Sequence, residues 1–507
     1  MNMNTLRILI VLSLLLLANT LTWAQTTEPA RLGVNTTTPE HTLDVNGTIN
    51  IAPDSAYQIN GSPVLRTQVV SGFTNLYLGP GAGQNNTRGS SNYFSGFRAG
   101  RNNTTGFRNH FSGFEAGRSN TTGRENYFSG YQAGLNNTSS ENYFSGYQAG
   151  LNNTTGFRNH FSGYQAGRAN TEGAFNHFSG YQAGVANTTG SSNYFSGYQA
   201  GNRNTTGDLN HFSGYEAGRR NTTGSQNYFI GYGAGQDNTT GELNYFSGNF
   251  AGANNTTGSR NHFSGYLVGL SNTTGNQNHF SGYEAGRNNS TGRENVYLGY
   301  RAGRSGNFTN AIAIGANVNA RGNNTVTIGN SSMTSIGGYA DWSTLSDGRF
   351  KREVAEDVPG LDFVTRLRPV SYRVDRAALH AFLKGEAVEN GKTAQEQPRE
   401  TGFIAQEVEE VANTLGYTFN GIIQPQSEND HYQLSYATFV VPLVQAVQEQ
   451  QELIEALQAE NTRLTQENAS QHTAQQTQLD QLQSLQQRLQ TLEKALNLPT
   501  EATASNQ

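Results

Sequence analysis

Repetition constrains this chain more than any other feature. From about residue 75 to 303 the sequence repeats a unit close to N-Y/H-F-S-G-Y-x-A-G-x-x-N-T-T-G-x-x. Phe94, Phe111 and Phe128 stand 17 residues apart. The step to Phe144 is 16, because Ser139-Ser140 replaces the longer Thr-Thr-Gly turn. The 17-residue step resumes at Phe161 and holds through Phe178, Phe195, Phe212, Phe229, Phe246, Phe263 and Phe280. Tyr77 and Tyr297 occupy the same column at the two ends, which makes 14 copies. A unit this short cannot enclose a core of its own, so it must stack on its neighbours as a solenoid or β-roll. Asn-Thr-Thr-Gly predicts one corner of each coil and Gly-Tyr-x-Ala-Gly another, since glycine permits tight backbone turns. N-Y/H-F-S between them predicts a short strand. The Ser column becomes Leu78, Ile230 and Leu298 in three copies, which predicts that it faces inward.

Composition agrees with a repeat. The 507 residues are only 34% hydrophobic and include 59 glycines, too little apolar material for several ordinary cores. A net charge of −5 offers nothing to a nucleic acid. The absence of cysteine excludes thiol catalysis, thiolate zinc sites and haem attached through cysteine. The residue before each Phe is Tyr or His, with His110, His160, His177, His211, His262 and His279 forming part of an aromatic ladder. Tyrosine is a poor substitute for a metal-ligating or pH-sensing histidine, so stacking explains the column better. The repeats also lack the Gly-rich Asp pattern of calcium β-rolls. No metal or cofactor is expected. The many Asn-x-Thr sequons, such as Asn103-Thr104-Thr105, coincide with the repeat's turn, which accounts for them without sugar.

The rest of the chain divides into distinct stretches. Residues 1–24 have the layout of a secretory signal peptide: Arg7, the apolar run Ile8 to Ala18, and a small residue at Ala24 for cleavage. The expected location is therefore secreted or cell-surface. Residues 25–74 read as a small β module, with Leu43 and Val45 alternating before an Asn46-Gly47 turn. The 17-residue repeat occupies 75–310 and a shorter roll, AIAIGANVNARGNNTVTIG, lies within 311–341. Residues 342–446 have ordinary globular patterning, and the first lysine of the chain, Lys351, falls there. Residues 447–498 continue a heptad pattern that starts with Val440 at position a and Leu443 at d. It runs unbroken through Ile454, Leu457, Leu464, Leu482, Leu485 and Leu489, with polar a positions at Asn461 and Asn468. Such a pattern predicts a self-associating coiled coil, although a helix packed on its own domain is the alternative. Residues 499–507 read as a disordered tail. No segment after the leader is long and apolar enough to span a membrane. The predicted class is mainly β: a repeat solenoid followed by a small α+β domain and a C-terminal coiled coil.

The junction reads Thr344-Leu345-Ser346-Asp347-Gly348-Arg349-Phe350-Lys351. After it come Leu361-Asp362-Phe363, then Leu367-Arg368-Pro369-Val370-Ser371-Tyr372, then Gly402-Phe403-Ile404-Ala405-Gln406-Glu407-Val408, and finally Pro442-Leu443-Val444-Gln445-Ala446-Val447-Gln448-Glu449. In that order these resemble the intramolecular chaperone domain of phage tail spikes and endosialidases, an autoproteolytic serine-peptidase module also found in a membrane-bound transcription factor of animals. The resemblance covers roughly residues 342–450. It implies Ser346 as nucleophile, Lys351 as general base, Leu345–Ser346 as the scissile bond, and a homotrimer whose chaperone domain helps the upstream fibre assemble before cutting itself free. Residues 311–329 resemble the roll repeats in trimeric autotransporter adhesin heads, and residues 31–51 resemble the short module that opens many secreted fibre proteins.

Physical chemistry bears on the pair. A serine hydroxyl is weakly nucleophilic until a base takes its proton, and lysine serves as that base only as the neutral amine. Arg349 is near enough in sequence to add positive charge, and Asp347 to orient the turn. In an extended strand Ser346 and Lys351 would lie roughly 17 Å apart. A turn at Gly348 must fold Lys351 back, or a neighbouring subunit must supply it. The alternative reading is an uncut trimerisation anchor, in which Ser346-Asp347 merely caps a turn. Exposed Tyr, Asn and Arg on the repeats suit a glycan or cell-surface ligand, and regular Thr rows suit ice.

Overall fold

The computed structural model describes residues 25–27, 31–34, 43–48, 55–340, 342–384, 397–425 and 430–496. The signal peptide read at 1–24 and the tail read at 499–507 lie outside the described residues. The chain divides into two compact units at Asn330 and Ser331.

The first unit is a β-solenoid. Near its start, Gln25–Thr27 pairs antiparallel with Arg31–Val34, which pairs parallel with Leu43–Val45. Ala56–Ile59, Ser62–Val70 and Phe73–Leu78 then form an antiparallel meander. The last of these is also the first rung of the repeat, and pairs parallel with Tyr93–Ser95. Every later rung is a three-residue strand paired in register with the coil before it and, except for the last, the coil after it; His160, Phe161 and Ser162, for example, face His177, Phe178 and Ser179. The ladder continues past the 14 repeats through Ile312–Ile314 and ends at Val326–Ile328, short of the expected boundary at 341.

One strand per coil leaves the remaining residues to turns, and the core is correspondingly narrow. Each coil buries its Phe, or Tyr77 and Tyr297 at the two ends, and the residue five later, which is Ala except at Val268; Phe161 and Ala166 are an example. Phe rings stack along the axis; Phe161 and Phe178 have centroids 4.8 Å apart and planes 8° apart. The Ser column does not face inward. Side chains alternate across a strand, so an inward Phe forces both its neighbours outward. The Ser residues, together with Leu78, Ile230 and Leu298, are half-buried on the outer side.

The rest of the core is polar. Two Asn columns, one before each strand and one opening each turn, are buried throughout; Asn176 and Asn187 are examples. Asn187 Nδ2 donates to Asn170 Oδ1 at 2.7 Å and to Gly190 O at 2.9 Å. Asn176 Nδ2 donates to Gly190 O at 2.8 Å, and its Oδ1 accepts the backbone N–H of Asn193 at 3.0 Å. These bonds tie each coil to the next and satisfy the turn carbonyls that burial would otherwise strand. In most turns the first Thr adds a bond of the same kind, as Thr188 Oγ1 donates to Thr205 O. Gly184 is required by its backbone: its φ is +56°, and a Cβ there would lie 2.5 Å from the Phe178 ring. The 16-residue coil interrupts one Asn column. Asn137 Nδ2 turns to Ser139 O, and Asn120 Oδ1 is left buried without a partner.

The second unit is small and α+β. Its helices are α1 (Leu361–Val364), α2 (Arg376–Lys384), α3 (Ala405–Thr414) and α4 (Val440–Leu496). Val370–Tyr372 pairs antiparallel with Glu400–Gly402, and Ile422–Ile423 with Gln433–Leu434. Phe363, Val408, Ala412 and Phe419 form the core. The long helix α4 has 57 residues, about 85 Å at 1.5 Å per residue. It begins inside the globular part. Its first turns pack on their own domain through Pro442 and Ala446, while Glu449 accepts the N–H of Leu361 at 2.7 Å. The a and d residues lie on a different face and are exposed, among them Val440, Leu443, Val447, Ile454 and Leu457.

Candidate active site

The junction folds locally, for reasons visible in its residues. Gly348–Phe350 is one turn of 3₁₀-helix, capped by Asp347, whose side chain accepts the backbone N–H of Arg349 at 2.9 Å. Asp is a preferred cap because its short carboxylate reaches the free N–H groups of the first turn. The turn closes with Lys351 N donating to Gly348 O at 3.2 Å. This shortens the path from residue 346 to 351, and Lys351 Nζ reaches Ser346 Oγ at 3.0 Å. One chain therefore brings the two side chains together. Gly348 has open space where a Cβ would sit, so the turn rests on the Asp347 cap rather than on glycine's freedom.

Arg349 is held by Asp347, through Nη2 at 2.6 Å and Nε at 3.0 Å from Oδ2. The guanidinium side chain first, and the Arg349 N–H second, hold the Asp347 carboxyl below the usual carboxylate range. The same contact raises the Arg349 pKa. Arg349 thus spends its charge on Asp347, which offsets its field at Lys351. Ser346 and Lys351 are both exposed. Burial or unopposed positive charge is what turns a lysine into a neutral base. The pair has hydrogen-bond geometry and lacks a cover.

Two shallow depressions on this unit lie elsewhere. One is lined by Arg366, Arg368, Glu407 and Val411, the other by Pro369, Phe403 and Tyr436. Among the described residues no group of three or more His, Cys, Asp or Glu side chains forms a metal-binding cluster, and no helix is long and apolar enough to cross a membrane.

The outer surface of the solenoid carries two aromatic rows flanking the Ser column. The strand row includes His160 and His177, with ring centroids 4.6 Å apart and planes at 17°. The second runs through Tyr147, Tyr164, Tyr181 and Tyr198 at about 5 Å spacing. Each ring covers the faces of its neighbours and turns only its edge to solvent. That disfavours face-on stacking of a sugar on these rings. The first Thr hydroxyl of most turns is committed to the next coil, which removes much of one of the rows an ice surface would need. Asn103 of the sequon is fully buried, with Nδ2 donating to Asn86 Oδ1 and Gly106 O, so it has no free amide for a sugar.

The buried Asn columns are the functional feature that sequence reasoning missed. The sequence pattern assigns one of these columns to the N-Y/H-F-S strand and the other to the Asn-Thr-Thr-Gly corner, and neither to the core. The available signal is internal: Asn recurs in both columns of every full copy, whereas a turn alone tolerates Gly, Asp or Ser.

Residues 346–417 match the peptidase family described as the chaperone of endosialidase. The match begins at Ser346 and contains Lys351. No curated protein and no solved structure matches the chain.

Proposed function

We propose that this chain is a secreted or cell-surface trimeric fibre whose C-terminal chaperone segment directs assembly and then cuts the Leu345–Ser346 bond. The family match at 346–417 supports the chaperone role, and the unpaired a/d face of α4 supports association of copies. The observation that carries the catalytic reading is the 3.0 Å approach of Lys351 Nζ to Ser346 Oγ.

The reaction follows from those atoms. Ser346 Oγ reaches the Leu345 carbonyl carbon through a five-membered ring. The Oγ proton passes to neutral Lys351 as the Oγ–C bond forms. Collapse breaks the C–N bond, and the proton passes from Lys351 to the departing Ser346 α-amine. Water then hydrolyses the ester, leaving a Leu345 carboxylate and a free Ser346 hydroxyl.

The test is a denaturing gel of the full chain beside Ser346→Ala and Lys351→Ala. The native chain should yield a fibre fragment ending at Leu345 and a second fragment from Ser346 to Gln507. Both variants should stay whole, since loss of a base costs about 10²–10⁴-fold in rate. A native chain that also stays whole refutes the peptidase reading and leaves an assembly anchor.

A further inference from the structure

We infer that Met333, Ile336, Tyr339, Trp342 and Leu345 form an apolar stripe that packs against the same stripe of further copies of this chain, and that this packing supplies the cover missing from the Ser346–Lys351 pair. The inference rests on the assembly reading above.

The observation is a period of three. Each of these large side chains follows the last by three residues, and all five are exposed; Trp342 and Leu345 are 87% and 81% exposed. The residues between them are only Thr, Ser, Gly, Ala and Asp. The pattern stops at the proposed scissile bond.

A period of three excludes the two ordinary elements. On a strand, consecutive members would alternate faces. On an α-helix they would drift by about 60° per step and spread around most of the circumference. Only a backbone with three residues per turn places all five in one row. The described backbone here is neither helix nor strand. In extended form the row would run about 37 Å, at ~3.1 Å per residue. A single chain has nothing to lay against such a row. Parallel copies around a common axis bury it completely, and the small residues between let them approach closely.

Two further observations select copies of this chain as the partner. The same unit carries a second unpaired stripe, the a/d face of α4, whose heptad spacing suits association with its own kind. The start of the segment is also fixed to its own domain: Arg376 Nη1 donates to Ser331 O at 2.6 Å and to Met333 O at 3.1 Å. Copies brought together by α4 would therefore present their stripes from equivalent points. Leu345 is both the last member of the stripe and the residue whose carbonyl Ser346 would attack. Anchoring it removes water from the neighbouring pair and makes cleavage contingent on assembly.

The test uses the full chain with Ser346→Ala, to prevent cutting, and Trp23→Phe, which leaves Trp342 as the only tryptophan. Emission and acrylamide quenching are followed beside sedimentation across a dilution series. Trp342 should be blue-shifted and shielded in the oligomer, and become quenchable on dissociation. An oligomer in which Trp342 is quenched as freely as in denatured chain overturns this inference alone. A chain that is monomeric at every concentration overturns the assembly reading as well. In the cleavable chain, Ile336→Ser with Tyr339→Ser should slow cutting at least tenfold while the oligomer persists through α4; an unchanged rate is contrary to the inference.

Discussion

Replacing Asn187 with alanine should open the middle of the fibre without touching any hydrophobic contact. Asn187 is fully buried, and three hydrogen bonds depend on its side chain. It donates to Asn170 Oδ1 and Gly190 O, and accepts from Asn204 Nδ2 at 2.7 Å. The losses are unequal. Gly190 O keeps the donor from Asn176, and Asn204 keeps its bond to Gly207 O. Asn170, fully buried, loses the donor to its Oδ1. One stranded buried acceptor costs about 1–3 kcal/mol, and the two weakened bonds raise the sum to about 2–4 kcal/mol. In a solenoid this cost is local, because each coil touches only its neighbours. Global melting would average it away, so hydrogen exchange is the better assay. The amides of Thr188, Thr205 and adjacent coils should exchange about 30- to 700-fold faster, at 1.4 kcal/mol per factor of ten. Exposed Thr189→Ala should have little effect. Asn187→Asp should be worse than alanine at neutral pH, because it turns a donor into a buried carboxylate aimed at two acceptors. Burial would raise that carboxyl's pKa, so the folded state would bind the proton more tightly and the deficit, relative to native chain at the same pH, should shrink on acidification. Exchange in Asn187→Ala within about threefold of the parent would refute the view that the Asn columns hold the coils together.

Three other outcomes are expected. Gly184→Ala should destabilise its coil by about 2–5 kcal/mol, combining a left-handed backbone with a Cβ pressed on Phe178, measured by the same exchange profile. Acidification should weaken the repeats, because burial lowers the pKa of His110, His160, His177, His211 and His262, with His177 adding to the shift at His160 and His279 to that at His262. A histidine with a lowered folded pKa contributes stability that is present above its ordinary value of 6.5 and lost as pH falls below it. His177→Tyr should flatten that loss in exchange measured from pH 7 to 5, and an unchanged slope would count against it. In the second unit, the Leu361 N–H, followed by Gln445, holds the Glu449 carboxyl low, so its contribution should be present above about pH 4.5 and vanish below it. Glu449→Ala should remove that step from an acid titration followed by near-ultraviolet circular dichroism.

The sequence alone determined that the units must stack, because a 17-residue unit rich in glycine and polar residues cannot close a core. It also located the strand, both corners and the Phe column, since turn chemistry and hydrophobic spacing are local. It placed Ser346 and Lys351 in one short motif, and carried the heptads of α4. The Ser column is deceptive in sequence, because its three apolar replacements suggest burial while the alternation imposed by Phe161 and its equivalents turns it outward. Only the tertiary structure decided that the Asn residues are core. A buried amide becomes legible as core when the next coil supplies its partner, and that partner is 17 residues away. The same holds for the junction. Five residues of spacing permit many separations, and the Asp347 cap selects the one in which Nζ meets Oγ. Local chemistry set the repeat, the strand and the turns; contacts between coils and around one capped turn set which side chains were buried and which two met.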